Sequence, residues 1–207
     1  MRRLVRKQTP KVDTVQREQL AAWFQAVRAD SNRTAAADLQ TLLLTGARKG
    51  EIAGLRWADV DFRFGGSLTI RDKVEGLRVI PCPPYLAQVL AALPRNGPWV
   101  FGPSAPKIAS NATYNHRRAL VAAALPHVSL HGLRRAFGTL AEWVECPAGV
   151  VAQLQGHKPS ATAEKHYRSR PLDLLRVWHT KIEAWILEQA GVPFVADAES
   201  GKLHAVA

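Results

Sequence analysis

The sequence predicts a mainly α-helical domain with one small antiparallel β-sheet, which is the α+β class. Eight segments of the 207-residue chain carry apolar residues at the period of a helix. Two neighbouring segments, 67–71 and 77–81, instead have the residue types of strands, and Glu75 and Gly76 between them favour a hairpin turn. Proline or glycine separates most of these segments, which predicts short connections between compact elements.

The first helix is predicted over 14–27, with Thr14 as its N-cap. Its apolar residues lie at i, i+3, i+4 and i+7 and therefore share one face: Leu20, Trp23, Phe24 and Val27. A second helix over 34–44 is predicted to stop at Gly46. The remaining predicted helices lie over 51–57, 85–93, 111–124, 131–144, 149–154 and 172–189.

The last helix is expected to pack on the core of its own domain. One side of it carries apolar and aromatic residues at helical spacing, namely Leu175, Trp178, Ile182, Trp185 and Ile186. Docking of the same side on a neighbouring copy is the alternative. Residues 191–207 are expected to form a weakly ordered tail. Tyr85 and Tyr114, which lie after two prolines and inside a helical segment, are both predicted to be packing residues.

The composition excludes several classes of protein. With 47% hydrophobic and 22% charged residues, the chain matches ordinary globular proteins rather than disordered or fibrous ones. Its two cysteines, Cys82 and Cys146, are too few for a disulfide framework or a zinc ribbon, which favours a reducing compartment. No apolar run is long enough to span a bilayer, and the start of the chain lacks the apolar core of a signal peptide. We therefore expect a cytoplasmic protein with no membrane partner.

The net charge of +11 favours a polyanionic partner, of which nucleic acid is the commonest. Residues 1–12 contain five basic and no acidic residues, so a basic N-terminal arm carries almost half of the excess. A charge excess that serves solubility alone is the alternative interpretation.

Four clusters along the chain contain residues that can do chemistry, and the first two are weak when taken alone. Arg48 lies in a turn that leads into a helix, but the spacing from Gly46 to Lys49 is too short for a nucleotide P-loop. Lys73 lies on the predicted hairpin, where a lysine often serves only to keep the edge solvated.

The other two clusters lie in the second half of the chain. His131 and Arg134 are three residues apart, so that on a helix both side chains could reach the same phosphate. His157 follows Gly156 at a predicted helix end, and Tyr167 lies in a segment rich in His, Lys and Arg. A cationic setting lowers the free-energy cost of ionising a tyrosine, whose ordinary pKa is about 10.

In this order the clusters resemble the catalytic domain of the tyrosine recombinases, the phage integrase family. The segment TGARKGEIAGLRWADVDF of this chain is similar to the box that holds the family's first arginine, with Arg48 at the arginine position and Glu51 at the acidic position. Lys73 matches the family's hairpin lysine by its distance to Pro81.

The remaining family boxes follow in the expected order. HGLRRAFGT is similar to the box written H-x-L-R-x-x-F-x-T and gives His131 and Arg134. LQGHKP is similar to the leucine-glycine-histidine box and gives His157, and Tyr167 takes the position of the nucleophile. One departure is Gly132, which stands where an aspartate is common. Another is the ten-residue step from His157 to Tyr167, one longer than is frequent.

The resemblance implies a tyrosine recombinase catalytic fold over residues 13–190, with 1–12 as an arm like an interdomain linker. The family's N-terminal core-binding domain is expected to be absent, which would weaken DNA binding and recombination. The implied partner is double-stranded DNA with attachment-type sites, bound as a tetramer by a protein that is monomeric without DNA. Such a protein would be encoded by a bacterium or phage and act at the nucleoid.

The resemblance also implies the reaction. Tyr167 would attack a DNA phosphodiester, which gives a 3′-phosphotyrosyl link and a free 5′-hydroxyl. Arg48 and Arg134 would clamp the nonbridging oxygens, where such electrostatic stabilisation is usually the largest contribution to catalysis. His131 and His157 would donate hydrogen bonds to the same oxygens, and His131 is also a candidate acceptor of the tyrosine proton.

Two further roles complete the implied site. Lys73 would protonate the departing 5′-oxygen, and Glu51 would orient Arg48 or His131 rather than contact DNA. No metal or other cofactor is expected, because the phosphotyrosyl bond conserves the energy of the broken linkage. Asp59 and Asp61 lie in a structural segment of the family and are not a nuclease-type carboxylate cluster.

Three other functions remain open from the sequence. A type IB topoisomerase would use the same chemistry to relax DNA. A truncated integrase could bind DNA without cutting it, and a basic transcription regulator is the third alternative.

Overall fold

The computed structural model describes residues 13–72, 76–157 and 170–195 and confirms the predicted fold class. Within these ranges there are eight α-helices and one three-stranded antiparallel sheet. The helices are α1 (Leu20–Arg28), α2 (Arg33–Thr45), α3 (Lys49–Ala53), α4 (Pro84–Ala91), α5 (Ala105–Ala122), α6 (Leu130–Glu142), α7 (Ala148–Gln155) and α8 (Leu172–Gln189). The strands are β1 (Val60–Asp61), β2 (Ser67–Asp72) and β3 (Gly76–Pro81), and 3₁₀ turns lie at Arg17–Gln19 and Trp57–Asp59.

Helix α1 begins later than predicted. A 3₁₀ turn, Arg17–Gln19, precedes it, and the side chain of Gln19 accepts the backbone N–H of Gln16 at 2.9 Å. Thr14 lies outside the helix, where its hydroxyl accepts a hydrogen bond from the amide group of Gln16 at 2.5 Å. The predicted N-cap at Thr14 is therefore wrong, because a pair of glutamines closes the first turn instead. The predicted apolar face is buried, and it consists of Leu20, Trp23, Phe24 and Val27.

Helix α2 runs through the centre of the core. All its residues from Ala35 to Thr45 are buried, as is typical of a helix packed on every side, and it contacts α1, α4, α5 and α6. Asn32 caps its start by accepting the N–H of Ala35 at 3.1 Å. Gly46 ends it with a left-handed φ of 60°, which confirms the predicted stop.

The sheet has the strand order β1–β2–β3. Strands β2 and β3 pair in register along their length, which confirms the predicted hairpin, whereas the two-residue strand β1 was not predicted. Alternation along the hairpin places Leu68, Ile70 and Ile80 in the core. Leu77 and Val79 lie on the other face and are exposed. The sheet therefore covers the core with one face and meets solvent with the other.

Helix α8 packs on the core of its own domain, as predicted. Leu175, Ile182 and Ile186 are fully or almost fully buried, and Trp178 and Trp185 pack against the same core while partly exposed. The helix contacts β3 most, and it also contacts α1, α6 and α7. It thus joins the sheet to the helical part of the core.

Two buried polar side chains of α8 satisfy the ends of other helices. Glu183 accepts the backbone N–H groups of Tyr85 and Leu86 at the start of α4, both at 2.9 Å. His179 Nε2 lies 2.8 Å from the carbonyl oxygen of Leu44, near the end of α2. Burial raises the pKa of Glu183 to about 7 and lowers the pKa of His179 to about 4. These contacts fix α4 and α2 relative to α8.

The first residues after α8 also belong to the core, in contrast to the tail predicted for 191–207. Val192 is buried, and the ring of Phe194 makes an edge-to-face contact with Tyr85 at 5.4 Å between centroids. Residues 196–207 lie outside the described residues. Tyr85 is buried as predicted, but the packing role predicted for Tyr114 is wrong, since its side chain is 63% exposed.

Two expectations from composition concern the cysteines and the membrane. Cys82 and Cys146 are both buried and free, and burial raises the pKa of each thiol, to about 11 for Cys146. Among the helices that the structure describes, none combines the length and the apolar character needed to cross a membrane.

The start of α6 is held by Asp13, which is far away in sequence. The hydroxyl of Ser129 accepts the N–H of Gly132 at 3.0 Å, and Asp13 Oδ2 accepts the N–H of Ser129 at 3.1 Å. Arg135 donates to the carboxylate of Asp13 and, at 3.1 Å, to its carbonyl oxygen. A Cβ atom at Gly132 would lie 2.4 Å from that carbonyl oxygen and 2.6 Å from Val128 Cγ1. The chain therefore needs a glycine where Asp13 crosses α6.

We expect Gly132→Ala to lower the free energy of unfolding by about 1–3 kcal/mol, because the added methyl group overpacks against backbone. Gly50→Ala is the matched control, since a Cβ atom at Gly50 in α3 would meet nothing within 4 Å. There alanine should raise stability by about 0.5–1 kcal/mol. Denaturant unfolding followed by circular dichroism measures both variants, and equal stabilities would contradict the contact between Asp13 and Gly132.

Candidate active site

Arg48 lies in the turn between α2 and α3 and caps the start of α3. Its backbone N–H donates to Oε2 of Glu51 at 2.8 Å, and its Nη1 donates to Oε1 of the same carboxylate at 2.6 Å. Glu51 is buried, whereas the side chain of Arg48 is 44% exposed. The carboxylate therefore fixes the arginine from the protein side while the guanidinium stays open to solvent.

A second arginine, Arg78 on β3, binds the other side of the Glu51 carboxylate. Its Nη1 and Nη2 donate to Oε1 and Oε2 at 3.1 and 2.7 Å, and its Nε donates to the carbonyl oxygen of Leu154 at 3.3 Å. The Arg78 side chain is 14% exposed. We did not predict a role for this residue. A usable signal was its position in the strand, because Arg78 is two residues from the buried Ile80 and therefore lies on the same face of the sheet, whereas the exposed Leu77 lies on the opposite face.

Glu51 is ionised between the two arginines. Burial by itself would raise the pKa of the carboxyl, but hydrogen bonds from Arg78 and Arg48 outweigh burial and hold the pKa below its ordinary value of 4.5. A buried charge of this kind is stable only when it is paired and hydrogen-bonded.

Arg134 on α6 is buried and bonds to backbone at the ends of two helices. Its Nη1 donates to the carbonyl oxygens of Gly46 and Gln155 at 2.7 and 2.8 Å. The side chain of Gln155 returns a hydrogen bond to the carbonyl oxygen of Arg134 at 2.7 Å. Carbonyl groups at helix C-termini lack partners within the helix, and a guanidinium satisfies them well. Arg134 thus ties α6 to the ends of α2 and α7.

Arg48 and Arg134 meet at the end of α7. Arg134 donates to the carbonyl oxygen of Gln155, and Arg48 Nη2 lies 3.4 Å from the carbonyl oxygen of the next residue, Gly156. Gly156 has a left-handed φ of 68°, which ends α7 and directs the chain to His157. Two arginines that are far apart in sequence therefore lie beside one turn, directly before His157.

The two candidate histidines lie near both arginines. His131 is one helical turn before Arg134 on α6, and His157 follows the end of α7. Burial lowers the pKa of both imidazoles, and the positive charges of Arg134 and Arg48 lower each pKa further. Both shifts favour the neutral ring, in which one nitrogen donates and the other accepts a hydrogen bond.

Lys73 and Tyr167 lie outside the described residues, and their positions at the site stay predictions. Lys73 falls between β2 and β3 in sequence, and Tyr167 falls between His157 and α8.

A cavity of about 390 Å³ opens beside the arginines, and its lining includes Arg48, Lys49, His131 and Arg134. A larger groove of about 810 Å³ between α1 and α5 is lined by none of the candidate site residues that the structure describes. The cationic lining makes the smaller cavity the better match to a phosphate group.

The carboxylates near the sheet have structural partners. Asp59 pairs with Arg71, and Asp61 pairs with Arg63. Among the described residues, no three His, Cys, Asp or Glu side chains are grouped so that they could hold a metal ion.

Comparison with known proteins shows what this arrangement is similar to. A model of the phage integrase family matches residues 13–171. The prophage integrase IntF of Escherichia coli (strain K12) is 58% identical over 189 residues, which cover 87% of this chain and 40% of IntF. The chain thus spans less than half the length of this relative.

Solved structures share the fold. The integrase from mycobacterium phage Brujita superposes with a TM-score of 0.68 at 20% identity, over 92% of this chain and 66% of that one. A lambda integrase tetramer bound to a Holliday junction gives a TM-score of 0.59 at 16% identity, over 81% of this chain and 53% of that one.

We expect Glu51→Gln to cost about 3 kcal/mol of stability at neutral pH, because it removes the charge that pairs with the largely buried Arg78. Since the folded pKa of Glu51 is lowered, the wild-type advantage is fully present above pH 4.5 and is lost as the pH falls through the folded pKa. Thermal unfolding of both proteins between pH 3 and 8 measures this difference. A difference that stays constant below pH 4.5 would contradict the ionised state of Glu51.

Proposed function

This chain belongs to the phage integrase family, and we propose that it is the catalytic part of a site-specific tyrosine recombinase that cuts and rejoins double-stranded DNA. The observation that carries the proposal is the meeting of Arg48 and Arg134 on the consecutive carbonyl groups of Gly156 and Gln155. Two guanidinium groups beside two neutral imidazoles form an anion site of the kind that phosphoryl transfer needs.

The proposed clamp acts on the charge that develops during the reaction. The pentacoordinate phosphorus places negative charge on its nonbridging oxygens, and Arg48 and Arg134 would bind these oxygens. Arg134 is anchored by two backbone carbonyl groups before any ligand arrives, so that little reorganisation is needed at the moment of reaction. Removal of one such donor typically lowers the rate by about 10²–10³-fold.

Covalent chemistry is assigned to Tyr167. Its phenolic oxygen would form a bond to phosphorus while the bond from phosphorus to the 5′-oxygen breaks. The phenolic proton would pass to His131, whose lowered pKa keeps the ring neutral and able to accept it. His157 would donate a hydrogen bond to a nonbridging oxygen.

Lys73 would return a proton to the departing 5′-oxygen. The product is a 3′-phosphotyrosyl link and a free 5′-hydroxyl, and attack by a second 5′-hydroxyl reverses the step on another strand. The linkage energy is conserved in the phosphotyrosyl bond, so that the reaction needs no ATP.

The proposed partners follow from charge and family. The net charge of +11 suits a DNA backbone. Strand exchange joins four DNA arms, and the solved lambda integrase is a tetramer on a Holliday junction. We propose the same assembly on DNA for this chain, acting on attachment-type sites in a bacterial cytoplasm. The family match favours a recombinase over a type IB topoisomerase or a regulator.

We expect the 207-residue chain to form a covalent adduct with a nicked suicide duplex drawn from DNA that flanks its gene. Tyr167→Phe should form none, because the variant lacks the attacking oxygen, whereas the exposed control Tyr114→Phe should react like wild type. The reaction is run with and without EDTA, and denaturing gel electrophoresis detects the adduct. An adduct with Tyr167→Phe would contradict the assignment of Tyr167 as the nucleophile. EDTA-sensitive breaks without attached protein would indicate a nuclease instead.

We expect Lys73→Ala to cut an ordinary duplex slowly and to regain its rate on a duplex whose scissile 5′-oxygen is replaced by sulfur. A thiolate is a good leaving group and does not need the proton that Lys73 would supply. Arg48→Ala is the control, because the clamp acts on the nonbridging oxygens and sulfur at the 5′ position should not rescue it. Absence of rescue in Lys73→Ala would contradict the role of this lysine as the proton donor.

A further inference from the structure

We propose that Arg78 is a positioning residue that holds Arg48 and the turn before His157 in the arrangement required for phosphate binding. The inference rests on the proposed recombinase function and adds to it a residue that does not itself contact DNA. Two sets of contacts and the burial of the Arg78 side chain carry it.

The first contact runs through Glu51. Both oxygens of this carboxylate accept from Arg78, at 3.1 and 2.7 Å, and both also accept from Arg48, at 2.6 and 2.8 Å. One buried carboxylate thus sets the distance between the two guanidinium groups. A change at Arg78 would let Glu51 turn, and Arg48 would turn with it.

The second contact is with the end of α7. Arg78 Nε donates to the carbonyl oxygen of Leu154 at 3.3 Å. Its guanidinium also lies close to Gly156, where a Cβ atom would be 2.7 Å from Nη1 and 2.9 Å from Cζ. Gly156 carries the carbonyl group to which Arg48 Nη2 donates, and the next residue is His157.

The third observation concerns burial and shape. With 14% of its side chain exposed, Arg78 is far less accessible than Arg48, with 44% exposed. Arg78 donates from three separate nitrogens to two carboxylate oxygens and a backbone carbonyl group, a spacing that the single nitrogen of a lysine cannot reproduce. Arg78 is therefore built to bind protein rather than DNA.

Arg71 supplies a matched control on the same sheet. It also forms a two-point ion pair with a buried carboxylate, that of Asp59, through Nε and Nη2. In the register of the hairpin, Arg71 is opposite the exposed Leu77, whereas Arg78 is opposite the buried Ile70. Arg71 thus makes the same kind of ion pair on the other face of the sheet.

The first experiment compares Arg78→Lys with Arg71→Lys by single-turnover cleavage of the suicide duplex at saturating protein. We expect Arg78→Lys to cleave about 10²-fold more slowly than wild type, which is the usual effect of a misplaced catalytic group. Arg71→Lys should cleave at the wild-type rate. Circular dichroism checks that both variants fold. Wild-type cleavage by a folded Arg78→Lys overturns the proposal.

DNA affinity separates positioning from contact. A lost phosphate contact lowers the slope of log affinity against log salt by about 0.9, so an unchanged slope in Arg78→Gln, which removes the charge, supports positioning. A slope reduced by that amount overturns the proposal and makes Arg78 a DNA contact.

The second experiment needs no DNA. Burial lowers the pKa of the His157 ring, and among the described residues Arg134, Arg48, Arg78 and His131 lower it further. We expect the pKa of His157, titrated by NMR of the ring protons, to rise in Arg78→Gln and to stay at the wild-type value in Arg71→Gln, which loses the same charge on the other face of the sheet. An unchanged pKa in Arg78→Gln overturns the proposal.

The two experiments also distinguish failure of the inference from failure of the function. If the wild-type chain forms no adduct with any duplex, the recombinase proposal fails. The His157 titration needs no DNA and still tests whether Arg78 acts on this ring.

Discussion

The site depends on one constraint, which is that several positive charges must stay together when no phosphate is bound. Arg48, Arg78 and Arg134 lie close to the end of α7 and would repel one another there. Glu51 offsets part of this repulsion with a single buried carboxylate. Backbone carbonyl groups at the ends of α2 and α7 offset more of it, because the negative ends of helix dipoles stabilise cations. The unliganded protein is therefore held by partners that a phosphate does not need to displace.

This arrangement explains why the arginines lie at helix ends. A mid-helix carbonyl group already accepts a hydrogen bond within its helix, whereas the carbonyl groups of Gly46 and Gln155 remain available. Glycines with left-handed φ at 46 and 156 end both helices at the place where Arg134 and Arg48 reach them. A Cβ atom at Gly46 would also lie 2.6 Å from the ring of Phe137. The two helix stops are thus part of the site and not only of the fold.

Much of the fold could be predicted because its signals are local. The stop of α2 at Gly46, the full length of α8 and the β2–β3 hairpin each follow from residues within a few positions of one another. The misses depend on non-local or weak signals. Strand β1 has two residues and exists only through pairing with β2. The start of α5 at Ala105 precedes the predicted start at 111, since its first turns are polar or small and carry little apolar periodicity.

The same division holds at the site. The order of the motifs predicted five residues that the structure brings to one region: Arg48, Glu51, His131, Arg134 and His157. It did not predict Arg78, whose contacts are with Glu51 and Leu154, 27 and 76 residues away in sequence. Gly132 makes the point more sharply. Compared with the family pattern, Gly132 resembles the loss of an acidic residue next to His131. A carboxylate is nevertheless present there, because Asp13 accepts hydrogen bonds from Ser129 and Arg135, which are 116 and 122 residues away in sequence. The negative charge of Asp13 raises the pKa of His131, whereas the neighbouring arginines lower it. A departure from a motif is therefore not evidence of a missing group until the packing around it is known.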